Sequence, residues 1–134
     1  MSEATEMLRE FHAALGDELG RGNAKLRWTL HEEEGEELLD ELAPRRLGIG
    51  VREPKADEDV DRAHLARELA DVVYVTFGTA HAFDIDLDAA LAEIHRAAMS
   101  KLDPATMRVR DDGKILKPEG FIPPDMSQAI GGEA

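Results

Sequence analysis

The sequence predicts an all-α fold, four helices followed by an irregular arm, and three observations carry that expectation. Apolar residues recur at helical spacing through most of the first hundred positions. Helix breakers and caps, Gly20-Arg-Gly-Asn23, Ala43-Pro44 and Asp84-Ile-Asp86, stand between those stretches. Four of the six prolines fall after Leu102, so they do not interrupt the periodic segments.

The first helix is expected from about Glu3 to Leu19, with Met7, Leu8, Phe11, Ala14, Leu15 and Leu19 on its apolar side. Asn23 can cap the second, which runs from about Ala24 to Leu42, its apolar positions Leu26, Leu30, Leu38, Leu39 and Leu42 interleaved with the acidic cluster. Residues from Arg45 to about Val60 read as a loop. A third helix should extend from Asp61 to about Phe83. Its Val72-Val-Tyr-Val-Thr-Phe77 run has strand propensity, but flanking Ala and Leu and the length of the apolar stretch favour a buried helix. Asp86 can cap the fourth, which ends near Lys101. The helical core thus spans about 3–101, and 102–134 forms an arm in which Asp111-Asp-Gly113 is a turn and Lys114–Lys117 a short extended piece. At 134 residues this is one domain. A third helix apolar nearly all round needs more cover than three short neighbours supply, so at least a dimer is expected.

Charge and composition exclude several classes. With 29 acidic and 16 basic residues the net charge is −13, which gives no general attraction for nucleic acid or an anionic membrane. The absence of cysteine excludes disulfides and thiolate metal sites. The polar, acidic start MSEATEMLRE is unlike a signal peptide, and Leu69–Phe83 is too short for a membrane span. A cytoplasmic location is expected.

Two acidic pairs carry the chemistry: Glu34 with Glu37, preceded by Glu33, and Glu68 with Asp71. Residues three apart share a helix face, so each pair projects two carboxylates one way. A run such as Glu32–Glu37 taken alone suits a solvated face. Asp71, the only charge between Leu69 and Phe83, is harder to explain by solvation, because burying a carboxylate is costly without a cation or strong donors. Together the pairs describe an all-oxygen site for Mg²⁺, with Mn²⁺ as a substitute. Iron is disfavoured: no Glu-x-x-His occurs, and His12, His31, His64, His81 and His95 lack ligand spacing.

Arg27-x-x-Leu30-x-x-Glu33-Glu34-x-x-Glu37-Leu38 followed by Glu68-x-x-Asp71 resembles the MazG-like all-α nucleoside triphosphate pyrophosphohydrolases. The likeness extends to Glu10-Phe-His12, Asp71-Val-Val-Tyr-Val-Thr-Phe-Gly78, Asp84-Ile-Asp86, His95-Arg-Ala-Ala-Met-Ser-Lys101 and Asp112-Gly-Lys-Ile-Leu-Lys-Pro118, about residues 7 to 125. The resemblance implies a four-helix MazG-like core assembled as a homodimer or homotetramer, and Mg²⁺-dependent cleavage of a nucleoside triphosphate to monophosphate and pyrophosphate. Glu34, Glu37, Glu68 and Asp71 would hold the metal, while Glu33 is either a further ligand or orients the attacking water. Lys101, Lys114 and Lys117, with the Ser100 hydroxyl, are candidates for the outer phosphates. Phe11, His12 and Trp28 are candidates for a base pocket, and Tyr74 either bonds a carboxylate or packs. Two departures stand out: Ala98 replaces the Asn of many relatives, and the stretch from Glu37 to Glu68 is long.

Three functions are compatible with this sequence. The first is house-cleaning hydrolysis of a (d)NTP, dUTP among the candidates. The second is phosphoribosyl-ATP hydrolysis in histidine biosynthesis, with Arg45, Arg46, Arg52 and Lys55 of the long loop as extra anion contacts. The third is a non-catalytic acidic helical protein that binds nucleotide or Mg²⁺ or scaffolds a partner.

Overall fold

The computed structural model describes residues 2–16, 21–45 and 50–131. These include four α-helices, α1 Glu3–Leu15, α2 Ala24–Leu42, α3 Arg62–Ala82 and α4 Leu87–Ser100, with a 3-10 turn at Asp57–Asp59. Among the described residues there is no strand, only two isolated bridges, Arg45 to Arg52 and Val109 to Ile115. The all-α expectation holds, and the β-branched run 72–77 is helical. No helix among the described residues is long and apolar enough to cross a membrane.

The helix ends follow from particular residues. Helix α1 stops at Leu15, short of the expected Leu19, because Gly16 takes φ +95° and its N–H closes on the His12 carbonyl at 3.1 Å. Positions 17–20 lie outside the described residues. Asn23 caps α2 as expected, its Oδ1 accepting from the Leu26 N–H at 3.1 Å, although its own backbone is left-handed at φ 62°. Asp61 caps α3 by accepting from the Ala63 and His64 N–H groups. Asp86 caps α4 by accepting from the Ala89 N–H.

The described chain forms two compact units, residues 3–83 and residues 84–131 with Ser2. In the first, α3 packs against both α1 and α2. Helices α2 and α3 run antiparallel: the Gly22 N–H reaches the Ala82 carbonyl at 2.7 Å at one end, and His64 lies 3.9 Å from Glu41 at the other. Leu8, His12, Gly78 and Ala80 are the buried residues of these helices among those described. The cover expected over α3 is incomplete within the described chain, since Leu69 is 46% and Val73 48% exposed.

In the second unit Ala90, Ala97 and Ala129 are buried, and the Asp86 N–H donates to the Ala129 carbonyl at 2.8 Å. The arm makes a short hairpin about Gly113, where the Arg110 N–H meets the Lys114 carbonyl at 2.7 Å and the Leu116 N–H meets that of Arg108 at 2.9 Å. Glu93 ties the arm back to α4 by accepting from the Asp125 N–H.

Asn23 combines a left-handed backbone with a capping oxygen, so substitutions there should separate the two roles. Asn23→Ala loses the cap and strains the backbone, at a cost of about 1–2 kcal/mol. Asn23→Gly keeps the conformation and should recover most of that loss. Urea unfolding midpoints of the two variants provide the comparison.

Candidate metal centre

The antiparallel seam between α2 and α3 brings both acidic pairs to one place. Glu34, Glu37, Glu68 and Asp71 each offer a carboxylate oxygen, and these four atoms all lie within 4.8 Å of one another. Helical geometry explains the convergence: 34 and 37 share a face of α2, 68 and 71 share a face of α3, and the two faces meet. Opposite oxygen ligands on an octahedral Mg²⁺ stand about 4.2 Å apart, so the set has nearly the dimensions of a coordination sphere.

The electrostatics of the set call for a cation. Burial pushes the Glu34 carboxyl above its ordinary range, and the charges of Glu37, Asp71 and Glu68 push it further. Burial likewise raises Glu68, reinforced by a hydrogen bond with Glu37 and by the charges of Glu37 and Asp71, with Arg67 opposing. Glu34 Oε2 and Glu68 Oε2 are buried with no hydrogen-bond partner. Unsatisfied buried carboxylate oxygens are rare because they forfeit their solvation. An all-oxygen donor set with two orphaned atoms fits a hard divalent ion.

Asp71 differs from expectation. Its side chain is 43% exposed, with Arg67 Nε 4.0 Å away, rather than enclosed by its apolar neighbours. On a helix those neighbours spread over several faces, and Asp71 points along the one that Glu68 occupies. Glu33 is exposed and stands outside the set of four.

His12 is buried at 5% exposure, its Nδ1 2.7 Å from His81 Nδ1, so its ring belongs to the core of the first unit. Phe11 is 45% exposed and meets Tyr74 edge-on at 5.7 Å between ring centroids. Trp28 is 65% exposed on α2. Lys101, Lys114, Lys117 and Ser100 lie in the second unit. There the Lys101 and Lys117 ammonium groups stand 5.6 and 5.7 Å from the centroid of one ring, Phe121. The Ser100 hydroxyl donates to the Ala97 carbonyl at 2.7 Å.

The loop cations are engaged. Arg52 pairs with Glu36 and, at 2.8 Å, with Asp40. Arg45 reaches Glu36 at 3.5 Å and donates to the Gly50 carbonyl, and Lys55 stands 4.0 Å from Glu41. Arg46 lies outside the described residues.

Residues 8–98 match the family model of phosphoribosyl-ATP pyrophosphohydrolase. The chain belongs to that family. Its match bears out the resemblance to the MazG-like all-α superfamily, and the matched segment contains all four carboxylates of the cluster. Ser100, Lys101, Lys114 and Lys117 fall beyond it. Comparison with curated proteins finds no match. The family identifies the chain as a pyrophosphohydrolase, a hydrolase acting on a phosphoric anhydride.

Because Glu34 and Glu68 bind their protons more tightly folded than unfolded, their contribution to stability is complete below the usual Glu range. It is lost as pH rises through the raised folded values. A divalent ion removes this penalty, so the rise in Tm produced by Mg²⁺ should grow from the ordinary Glu range upward. Melting curves across pH with and without Mg²⁺ test this, and Glu34→Gln should flatten the difference.

Proposed function

We propose that this chain is a Mg²⁺-dependent enzyme that hydrolyses the α–β phosphoanhydride of a nucleoside 5′-triphosphate, phosphoribosyl-ATP being the substrate that the family match favours. The observation that carries this is the four-carboxylate set shared by two helices inside the matched segment.

Glu34, Glu37, Glu68 and Asp71 would hold the ion, whose charge offsets the burial and mutual repulsion that raise the proton affinity of Glu34 and Glu68. Bound there, Mg²⁺ supplies neutralisation of phosphate charge and alignment of a water. Without such an ion the site repels a polyphosphate, so metal and substrate binding are coupled. Glu33, exposed and one residue before the set, suits the role of accepting the proton of a water attacking the α-phosphorus. Lys101, Lys114 and Lys117 are the proposed contacts to the outer phosphates. Ser100 is the weakest of that group, because its proton is already given to Ala97. Phe11 offers a half-exposed ring for base stacking, with His12 as support behind it rather than as a stacking face. The apolar surface left open on α3 supports assembly as a homodimer or homotetramer.

A second reading, hydrolysis of a canonical or damaged (d)NTP such as dUTP, is favoured by one observation. Phosphoribosyl-ATP carries an additional phosphate, and the loop cations that are candidates to receive it, Arg45, Arg52 and Lys55, face Glu36, Asp40 and Glu41 instead.

Purified protein with Mg²⁺ should release pyrophosphate and a monophosphate from at least one member of a panel holding phosphoribosyl-ATP and the (d)NTPs. Turnover of phosphoribosyl-ATP and rescue of a histidine auxotroph select the first substrate; (d)NTP turnover without rescue selects the second. Glu37→Gln and Asp71→Asn should each lower kcat by roughly two orders of magnitude or more while the circular dichroism spectrum is kept. No product from any substrate sinks the proposal.

In ¹⁸O-labelled water, attack at the α-phosphorus places the label in the monophosphate. Label in pyrophosphate would mean attack at the β-phosphorus.

A further inference from the structure

Glu34 lies seven positions after Arg27 on α2, and Gly78 seven positions after Asp71 on α3. Seven residues are nearly two helical turns, so each pair lies along one line of its helix, about 10 Å apart. Since α2 and α3 run antiparallel, Arg27 meets Gly78 two turns along the seam from where Glu34 meets Asp71. A methyl group at Gly78 would stand 3.1 Å from Arg27 Nη1, 3.3 Å from Leu8 Cδ1 and 3.6 Å from His12 Nε2. Glycine at this position therefore makes the room in which the guanidinium lies. His31, between Arg27 and Glu34, is held by a 2.7 Å hydrogen bond between its Nε2 and Thr79 Oγ1.

Arg27 is a charge without a counterion among the described residues. The chain has 29 acidic residues, yet the ion pairs of the seam and the loop engage Arg45, Arg52, Lys55, His64 and Arg67, and none engages Arg27. Its Nε is buried with no hydrogen-bond acceptor. Burial depresses its pKa, and no neighbouring carboxylate opposes that effect. An unpaired, partly desolvated guanidinium destabilises the fold that carries it. A planar fork of donors with its positive charge unspent matches a phosphate, which it can grip through two parallel hydrogen bonds.

We propose that Arg27, seated against Gly78, is a phosphate-binding residue that receives the pyrophosphate portion of the substrate, the part that leaves. This deepens the hydrolase assignment and rests on it for the identity of the ligand, while binding of pyrophosphate is measurable without turnover. Arg27 lies in the unit that holds the carboxylates, so this contact is separate from those proposed for the lysines.

The test titrates inorganic pyrophosphate into the full-length protein at fixed Mg²⁺ by calorimetry, alongside thermal melting. Arg27→Met and Arg27→Gln should weaken pyrophosphate binding at least tenfold and leave Mg²⁺ affinity within twofold. Their ligand-free Tm should be unchanged or higher, because an uncompensated charge has been removed. Arg27→Lys, which keeps the charge and loses the fork, should fall between. Gly78→Ala keeps the arginine but crowds it, and should weaken binding severalfold, which gives a readout even if Arg27→Gln does not fold. Pyrophosphate affinity equal to wild type in Arg27→Gln overturns the inference, as does a loss of affinity that only follows a lowered Tm. Should the wild type bind pyrophosphate through Arg27 yet hydrolyse no nucleotide, the hydrolase assignment falls and this one stands. Turnover with pyrophosphate binding indifferent to Arg27 leaves the hydrolase standing and removes the role given to Arg27.

Discussion

Mutual repulsion among Glu34, Glu37, Glu68 and Asp71 is the constraint around which the first unit is built. Four carboxylates whose oxygens lie within 4.8 Å would fly apart on flexible segments. They stay together because each pair is fixed by a helix and the helices are held by the packing of α3 against α1 and α2. Burial and that repulsion raise the proton affinity of Glu34 and Glu68. The arrangement is stable enough to persist and unsatisfied enough to bind, a compromise common to sites whose ligand supplies the missing charge.

That compromise explains what the amino-acid pattern reveals and what it hides. The two acidic pairs and the extents of α2, α3 and α4 are legible, since spacing of three, helix caps such as Asn23 and Asp86, and Pro44 are local signals. The meeting of the pairs follows only from chemistry, because nothing local links Glu37 to Glu68 across their long separation. Reading residues 69–83 as a line makes Asp71 look enclosed, whereas helical rotation carries its neighbours to other faces and leaves it partly in solvent. The end of α1 is missed because Leu15 and Leu19 continue the apolar spacing across Gly16, whose positive φ places it just past the helix end. Arg27 sits inside the acidic motif with no role that periodicity can assign, and its spacing of seven from Glu34 is the available signal.

The arm shows a different kind of organisation. Few described residues of the second unit are buried, so its shape depends on specific polar ties, Asp86 to Ala129 and Glu93 to Asp125, and on a tight turn at Gly113. Phe121 gathers two ammonium groups despite their mutual repulsion, each attracted by the negative face of the ring. Lys101 and Lys117 lie far apart in sequence, at the end of α4 and in the arm, and an aromatic ring links them without spending their charge on a carboxylate. Neutralising acids would have tied the chain equally well and left no cation for an anionic ligand.

The pairing of Arg52 with Glu36 and Asp40 has a consequence for how α2 distributes its negative potential. Glu36, Asp40 and Glu41 of that helix face cations of the connection that follows it, while Glu34 and Glu37 of the inner set face none among the described residues. Field strength at the inner set is therefore adjustable from outside: lengthening, shortening or recharging the 43–60 connection would retune cation affinity without altering a single ligand.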